Sequence, residues 1–159
     1  DGFNVGGMFT SEIARGLERI GFGITDISTG ETGELASIGN AEGPRLGKYR
    51  VNLRDIERIG VRAVRSAIER SDIVAIDEIG PMELLSPDFR DAVEDAIRGQ
   101  KVVLATIHFR ARGPVLDKVR DHPDSMTWEV TARDRERLPA LLYNEMKEAL
   151  RRRGAESIS

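Results

Sequence analysis

From residue 53 onward, amphipathic segments alternate with short apolar runs. The runs Asp72–Asp77 (DIVAID) and Lys101–Ile107 (KVVLATI) are apolar through almost all of their length, which is typical of central strands in a parallel sheet. Segments such as Leu53–Arg70 repeat apolar residues at helical spacing. Strands and helices in this order predict an α/β domain with a mainly parallel sheet and helices on both faces.

Several boundaries in this half are marked by single residues. Ser86 is a good N-cap with Pro87 behind it, and Gly99 ends the helix that they begin. Met126–Val130 is predicted to be a further strand, and Thr131 is predicted to cap the last helix.

The first third of the chain has a different pattern. Val5–Phe9, Ile20–Ile27 and Glu34–Ile38 are predicted to be short strands, and glycines are frequent between them. We therefore predict that residues 10–52 form a glycine-rich hairpin region, inserted in a single domain that covers residues 1–159.

Composition excludes several classes of function. The 159 residues carry 24 basic and 27 acidic side chains, a net charge of -3, so nucleic acid is not an expected partner. There is no cysteine, which rules out disulfides and thiolate metal sites and fits a reducing, cytoplasmic compartment. No apolar run approaches the roughly 20 residues that a membrane helix needs, so a membrane partner is not expected either.

The strongest chemical signal is the pair Asp77-Glu78, which follows the apolar strand directly. Open α/β sheets bind ligands at the carboxyl ends of their strands. One carboxylate could bind Mg²⁺, and the second could orient and deprotonate an attacking water. The pair could equally be two acids that solvate the end of a strand.

A phosphate-binding loop of the pattern G-x-x-x-x-G-K-[ST] would be expected beside such a pair. The nearest candidate is the stretch Gly43-Pro44-Arg45-Leu46-Gly47-Lys48-Tyr49. Its first glycine is one residue too close to the second, and Tyr49 stands where a hydroxyl should bind Mg²⁺. We therefore reject it as a phosphate-binding loop.

Several stretches together resemble the THEP1-type P-loop nucleoside-triphosphatases, to which human cancer-related nucleoside-triphosphatase is related. The resemblance covers nearly the whole chain, and its most specific part is Asp77-Glu78-Ile79-Gly80-Pro81-Met82-Glu83-Leu84. The other matching stretches are Gly6–Ile13, Arg19–Phe22, Ser28–Glu31, Leu35-Ala36, Leu46–Tyr49, Val51-Asn52, Ala105–His108 and Glu129–Thr131.

The resemblance implies a P-loop fold of the RecA-like type, a three-layer sandwich to which the hairpin region is added. Members of the family begin with a strand, a phosphate-binding loop and a helix. Those three elements are therefore expected to lie outside these 159 residues. The sequence that precedes Asp1 in the gene would test this expectation.

The resemblance also implies an activity. It implies an Mg²⁺-dependent enzyme that hydrolyses nucleoside triphosphates, ATP and GTP among them, with broad base specificity. Asp77 would be the metal ligand, Glu78 the general base, and His108 a polar residue that senses the γ-phosphate. His108 could instead be a strand-end histidine packed against a loop.

Other candidates come from the hairpin region. Arg19 could stabilise charge on the transferred phosphoryl group, and Lys48 could contact phosphate, although a solvated loop lysine is the alternative. Tyr49, Phe9 and Phe22 could line a nucleobase pocket or belong to the core. Three further arginines, each less favoured than Arg19, are Arg15, Arg110 and Arg112.

Two other functions stay open at this stage. The first is a nucleotide or small-molecule kinase, in which an acid activates a substrate hydroxyl and residues 10–52 bind the acceptor. The second is a non-catalytic remnant without a phosphate-binding loop. No heptad seam or large apolar stripe is evident, so we expect a monomer.

Overall fold

The computed structural model describes residues 2–156. Its centre is a sheet of seven strands in the spatial order β4-β5-β3-β2-β1-β6-β7. The strands are β1 Val5–Arg15, β2 Glu18–Asp26, β3 Thr32–Ser37, β4 Arg45–Leu46, β5 Tyr49–Val51, β6 Ile73–Ile79 and β7 Val102–Ile107.

The sheet has a parallel part and an antiparallel part. β6 runs parallel to β1 on one side and to β7 on the other, with Phe9 opposite Asp77. Strands β2 to β5 pair antiparallel, in the region that was predicted to be a glycine-rich hairpin. The prediction of parallel pairing therefore holds for β1, β6 and β7, and the sheet as a whole is mixed.

The helical segments follow the sequence closely. Asn52 caps the run at residues 53–70, which contains a π-helical stretch in its middle. Ser86 caps the next helix through the backbone N–H of Phe89, with Pro87 in the first turn. The helices are α1 Leu53–Asp55, α2 Arg62–Arg70, α3 Pro87–Arg98, α4 Pro114–Arg120 and α5 Leu138–Glu156, with the π stretch Ile56–Val61 and a 3₁₀ turn Glu83–Leu85.

One face of the sheet packs against the run at residues 53–70 and against α3. Met8, Val74 and Ile76 point to this side and are almost fully buried. They meet the apolar stripe of the helices, which was predicted from helical spacing. Its buried members are Ile56, Ile59, Ala63, Val64, Ala67, Phe89, Ala92, Val93 and Ala96.

Gly7 allows β1 and β6 to pair in this register. Its φ is 118°, a value that residues with a side chain rarely adopt. A Cβ atom at this position would lie 1.9 Å from the carbonyl oxygen of Ala75 on β6. Any side chain at position 7 would therefore clash with the backbone of β6, so this position requires glycine.

Strand β1 is longer than the prediction of Val5–Phe9. It continues to Arg15, and its second half pairs with β2 in a hairpin. This half lies past the last pairing of β1 with β6, which is Phe9 with Asp77. Because the extension is mostly exposed, its polar residues gave no apolar pattern to detect.

Two predictions near the C-terminus are wrong. Residues 126–130 form no strand in the described structure, and Met126 and Val130 are 54% and 60% exposed. The last helix begins at Leu138, not after Thr131. Pro139 explains the second error, because proline fits the first turn of a helix but interrupts a helix that began earlier.

Helix α5 lies on the opposite face of the sheet. Tyr143, Met146 and Leu150 line a cleft with Val5 and Ile73 there. Helices therefore flank both faces, as predicted. None of the helices in the described range combines the length and the apolar character that crossing a bilayer requires.

Candidate functional site

The predicted acids and the predicted histidine meet at one edge of the sheet. Asp77 and Glu78 lie near the end of β6, and His108 directly follows β7, the neighbouring parallel strand. The peptide bond between Asp77 and Glu78 is cis. This edge is the carboxyl end of the parallel strands, where α/β sheets usually bind ligands.

Asp77 is the exposed member of the pair. It points to the side of the sheet opposite Met8 and Ile76, level with Phe9. The Thr106 hydroxyl on β7 donates a hydrogen bond to Oδ1 of Asp77. An exposed carboxylate and a hydroxyl thus form a pair of hard oxygen atoms at the end of two strands.

Glu78 is half-buried. Burial raises the pKa of its carboxyl above the ordinary value, and the nearby negative charge of Asp77 adds to this effect. His108 acts in the opposite direction and lowers the pKa of Glu78. The two adjacent acids therefore have different surroundings, which suits a metal ligand in one case and a proton acceptor in the other.

His108 is exposed and begins an arginine-containing loop. Its Nδ1 accepts a hydrogen bond from the backbone N–H of Arg110 at 3.3 Å. Arg120 on α4 donates to the carbonyl oxygens of His108 and Ala111, at 3.4 and 2.8 Å. Arg112 donates to carbonyl oxygens within the same loop. The loop is thus held mainly through its backbone.

The other predicted site residues lie together on the hairpin region, in a group that we call the hairpin cluster: Arg19, Phe22, Lys48 and Tyr49. The Arg19 guanidinium lies 5.1 Å from the centre of the Phe22 ring, and its Nε donates to the Tyr49 hydroxyl at 3.2 Å. Lys48 lies over the Tyr49 ring at 5.5 Å.

Two acids neutralise the hairpin cluster. Glu12 pairs with Arg19 at 2.5 Å, and Glu18 with Lys48 at 3.5 Å. Tyr49 is buried, Phe22 is half-buried, and Phe9 is 40% exposed. Of the two alternatives for these aromatic residues, a nucleobase pocket or the core, the core therefore fits Tyr49 best and Phe9 least.

The hairpin cluster is separate from the carboxylate edge. Arg19 pairs with Ala14, five residues beyond Phe9, and Phe9 is level with Asp77. Five residues of strand span about 16 Å. The structure thus divides the predicted site residues into two groups, one at Asp77, Glu78 and His108 and the other at the hairpin cluster. Arg15 lies at the hairpin end and is exposed.

The stretch Gly43–Tyr49 does not form a phosphate-binding loop. Arg45–Leu46 and Tyr49–Val51 pair as two short antiparallel strands, and Gly47-Lys48 connects them. This geometry agrees with its rejection, which was based on the glycine spacing and on Tyr49.

Three residues at the carboxylate edge, Thr106, Glu83 and Gly80, have contacts that the sequence did not predict. Thr106 binds Asp77, and Glu83 is buried at 4% exposure in the 3₁₀ turn that follows β6. A Cβ on Gly80 would lie 2.8 Å from Oε2 of Glu83 and 2.9 Å from Oε1 of Glu78. A signal for Glu83 was available, since Glu83 stands alone among the apolar residues Met82, Leu84 and Leu85.

Two surface clefts of about 240 and 200 Å³ lie elsewhere. The first is between α3 and α4, and the second is the cleft beneath α5. Neither is lined by Asp77, Glu78 or His108.

Comparison with known proteins gives consistent results. The profile of a protein family described as NTPase matches residues 1–143. "Nucleoside-triphosphatase THEP1" of Methanosarcina acetivorans is 46% identical over 143 residues, which are 90% of this chain and 79% of the relative. The protein of the same name from Thermofilum pendens is 43% identical, over 91% of this chain and 80% of the relative.

Two solved structures are also similar. The crystal structure of THEP1 from the hyperthermophile Aquifex aeolicus aligns with a TM-score of 0.74 and 29% identity, over 85% of this chain and 79% of that one. The solution structure of a human cancer-related nucleoside triphosphatase aligns with a TM-score of 0.71 and 30% identity, over 90% and 82%. Both agree with a P-loop nucleoside-triphosphatase fold.

Proposed function

Because the chain belongs to the NTPase family and is a relative of the THEP1 nucleoside-triphosphatases, we propose that it hydrolyses nucleoside triphosphates to the diphosphate and inorganic phosphate. The observation that carries the proposal is the placement of Asp77 and Glu78 at the carboxyl edge of β6, one exposed and one half-buried.

Asp77 is proposed as the residue that would hold Mg²⁺. Its carboxylate and the Thr106 hydroxyl are hard oxygen donors of the kind that Mg²⁺ prefers. No group of three or more His, Cys, Asp or Glu in the described residues could hold a metal ion. A site with one protein carboxylate suits Mg²⁺, which commonly takes its other ligands from water and substrate phosphates. When bound, Mg²⁺ neutralises charge on the phosphate oxygens.

Glu78 is proposed as the general base. A water oriented by its carboxylate attacks the γ-phosphorus and loses a proton to Glu78, and the bond between the γ-phosphorus and the bridging oxygen breaks. The raised pKa of Glu78 makes it a better proton acceptor than an exposed carboxylate. His108, which directly follows the neighbouring strand β7, is proposed to contact the phosphate oxygens.

Broad base specificity is part of the proposal. Every group assigned above acts on the triphosphate end of the substrate, which all nucleoside triphosphates share. We therefore expect similar kcat values with purine and pyrimidine substrates.

Hydrolysis is tested by incubating the complete gene product with Mg²⁺ and ATP in ¹⁸O-labelled water, without an acceptor. We expect inorganic phosphate that carries one ¹⁸O atom from water, and unlabelled ADP. Asp77→Asn should lower phosphate release at least about tenfold, because a metal ligand is lost. The matched control is Asp91→Asn, which changes an exposed aspartate on α3.

Two results of this experiment would contradict hydrolysis at the γ-phosphate. Label in ADP would place the attack elsewhere on the triphosphate. The absence of phosphate release without an acceptor would remove hydrolysis as the function.

A kinase is the second candidate, and the hairpin is the observation that favours it. The extension of β1 and β2 carries Arg19 of the hairpin cluster about 16 Å beyond the level of Asp77, past the carboxyl edge where an acceptor would bind. Arg19, Lys48 and Tyr49 would then contact the acceptor or the nucleoside. Turnover that requires a nucleoside or nucleotide acceptor would favour this candidate.

A further inference from the structure

Glu83 is a buried acid whose burial needs an explanation. Four polar or charged residues are buried in the described part of the chain, namely Asp26, Ser71, Glu83 and Ser86. Asp26 accepts hydrogen bonds from the backbone of Ser28 and Thr29, and Ser86 caps α3. None of the ion pairs found among residues 2–156 includes Glu83. An ionised carboxylate without a cation is expensive to bury.

The surroundings of Glu83 are acidic. Burial, the largest cause, raises the pKa of its carboxyl to about 7, against the weaker pull of the backbone N–H groups of Glu83 and Gly80. The negative charges of Glu78 and Asp77 on β6 also raise this pKa. From α3, the Arg90 side chain donates to the carbonyl oxygen of Leu84 at 2.7 Å.

Gly80 brings Glu83 and Glu78 together. Oε2 of Glu83 and Oε1 of Glu78 lie 2.8 and 2.9 Å from the position that a Cβ on Gly80 would take. Gly80 is itself buried. Both carboxyl groups therefore border the same point beside the backbone, and a larger residue at position 80 would push into both.

We propose that Glu83 is a positioning residue that, in its neutral form, donates a hydrogen bond toward the Glu78 carboxylate, directly or through one water, and holds it toward the attacking water. This inference rests on the proposed function of Glu78. A neutral acid can be buried without a cation and supplies a donor, whereas a second carboxylate beside Glu78 would repel it. Glu83 acts through Glu78 and is not assigned a contact with the substrate.

Two substitutions of similar shape separate positioning from packing. Glu83→Gln is permanently neutral and keeps a donor, so we expect kcat within about threefold of the wild type. Glu83→Met fills similar space with a flexible side chain but has no donor, so we expect kcat to fall at least about tenfold. KM of both variants should stay close to the wild type. The melting temperatures should also be close when they are compared below the pKa of Glu83, where the wild-type side chain is neutral too. All measurements use the complete gene product with Mg²⁺ and ATP.

Three outcomes would contradict the inference. Wild-type kcat in a folded Glu83→Met would show that no donor is needed. An equal loss in Glu83→Gln and Glu83→Met would show that the charge of Glu83 matters, not its donor. A Glu83→Met variant that loses kcat only together with its melting temperature would assign Glu83 to packing. If Glu83→Met does not fold, Glu83→Leu takes its place, and a loss of kcat in Glu83→Gln contradicts the inference in either case.

Glu78→Gln, measured in parallel, separates this inference from the proposed function. If Glu78→Gln is inactive while Glu83→Met is fully active, only the role of Glu83 is lost. If Glu78→Gln turns over like the wild type, the base assignment itself fails, whatever Glu83 does.

Discussion

At the scale of single residues, the acids at and after the carboxyl end of β6 differ in how exposed each is to solvent. Asp77 is exposed, Glu78 is half-buried, and Glu83 is 4% exposed. Burial raises the pKa values of Glu78 and Glu83. One short stretch of chain thus provides carboxyl groups suited to a metal ion, to a proton acceptor and to a hydrogen-bond donor.

The pKa of Glu83 predicts a pH-dependent stability. Its folded-state pKa of about 7 lies above its ordinary value of 4.5. The native state therefore holds this proton where the unfolded chain has lost it. Below about pH 4.5 the stability linked to Glu83 is fully present, and it is lost as pH rises toward 7, by up to about 3 kcal/mol. Urea unfolding at pH 5 and pH 8 measures this change.

Glu83→Gln is the reference for that measurement, because glutamine does not titrate. Between pH 5 and pH 8 the free energy of unfolding of the wild type should therefore fall by more than that of Glu83→Gln. An identical pH dependence in the two proteins would contradict the raised pKa.

Gly80→Ala should disturb activity more than folding. Its methyl group would displace the ends of the Glu78 and Glu83 side chains, which can move, and would not meet backbone atoms within 3 Å. We expect kcat to fall at least about tenfold while the melting temperature changes by a few degrees. Gly39→Ala is the matched control, since a Cβ there meets nothing within 4 Å. Equal kcat in the two variants would argue against the close approach at Gly80.

At the scale of secondary-structure elements, the pairing of β1 with β6 sets the level of Asp77. Gly7→Ala should destabilise the fold by at least about 3 kcal/mol, because the Cβ would meet the Ala75 carbonyl and the backbone would be strained. Chemical denaturation against Gly39→Ala measures the loss. A Gly7→Ala protein as stable as this control would contradict the β1–β6 register.

The elements that sequence predicted well are those with an apolar face in the core. The helix at residues 53–70, the helix after Ser86 and strands β6 and β7 all have such a face. The extension of β1 was missed because it is stabilised by backbone pairing with β2 and is mostly exposed. Met126–Val130 has the composition of a strand, but no neighbouring strand pairs with it in the described structure.

The sequence predicted one part of the candidate site and missed another. Asp77, Glu78 and His108 could be found because each comes after an apolar run that forms a strand, and parallel strands end at one edge. Arg19 was proposed from the resemblance and from its charge, and Lys48 from its position in a glycine loop. The register of β1 and β2 places Arg19 about 16 Å further along the strand than Asp77. The contact between Glu83 and Glu78 depends on the fold of the turn, which sequence spacing does not specify.

At the scale of the whole molecule, β6 is the central strand of the parallel part and β7 is the last strand of the described sheet. β6 is paired on both sides and buried, whereas β7 is paired only with β6 and is mostly half-buried. Amide protons of Val74 and Ile76 should therefore exchange more slowly than those of Val103 and Ala105. This is measured by native-state hydrogen exchange on the 159-residue chain, and equal protection in the two strands would contradict an open β7 edge.

The central claim is that a water molecule attacks the γ-phosphate under the control of Glu78. It is tested most directly by phosphate release from Mg²⁺-ATP by the complete gene product carrying Glu78→Gln, with nucleotide affinity measured on the same sample. Glu69→Gln, which changes an exposed glutamate on α2, is the control. We predict that Glu78→Gln lowers kcat at least about 100-fold with an unchanged Kd, and that the control is fully active. A Glu78→Gln protein that releases phosphate at the wild-type rate would contradict the account.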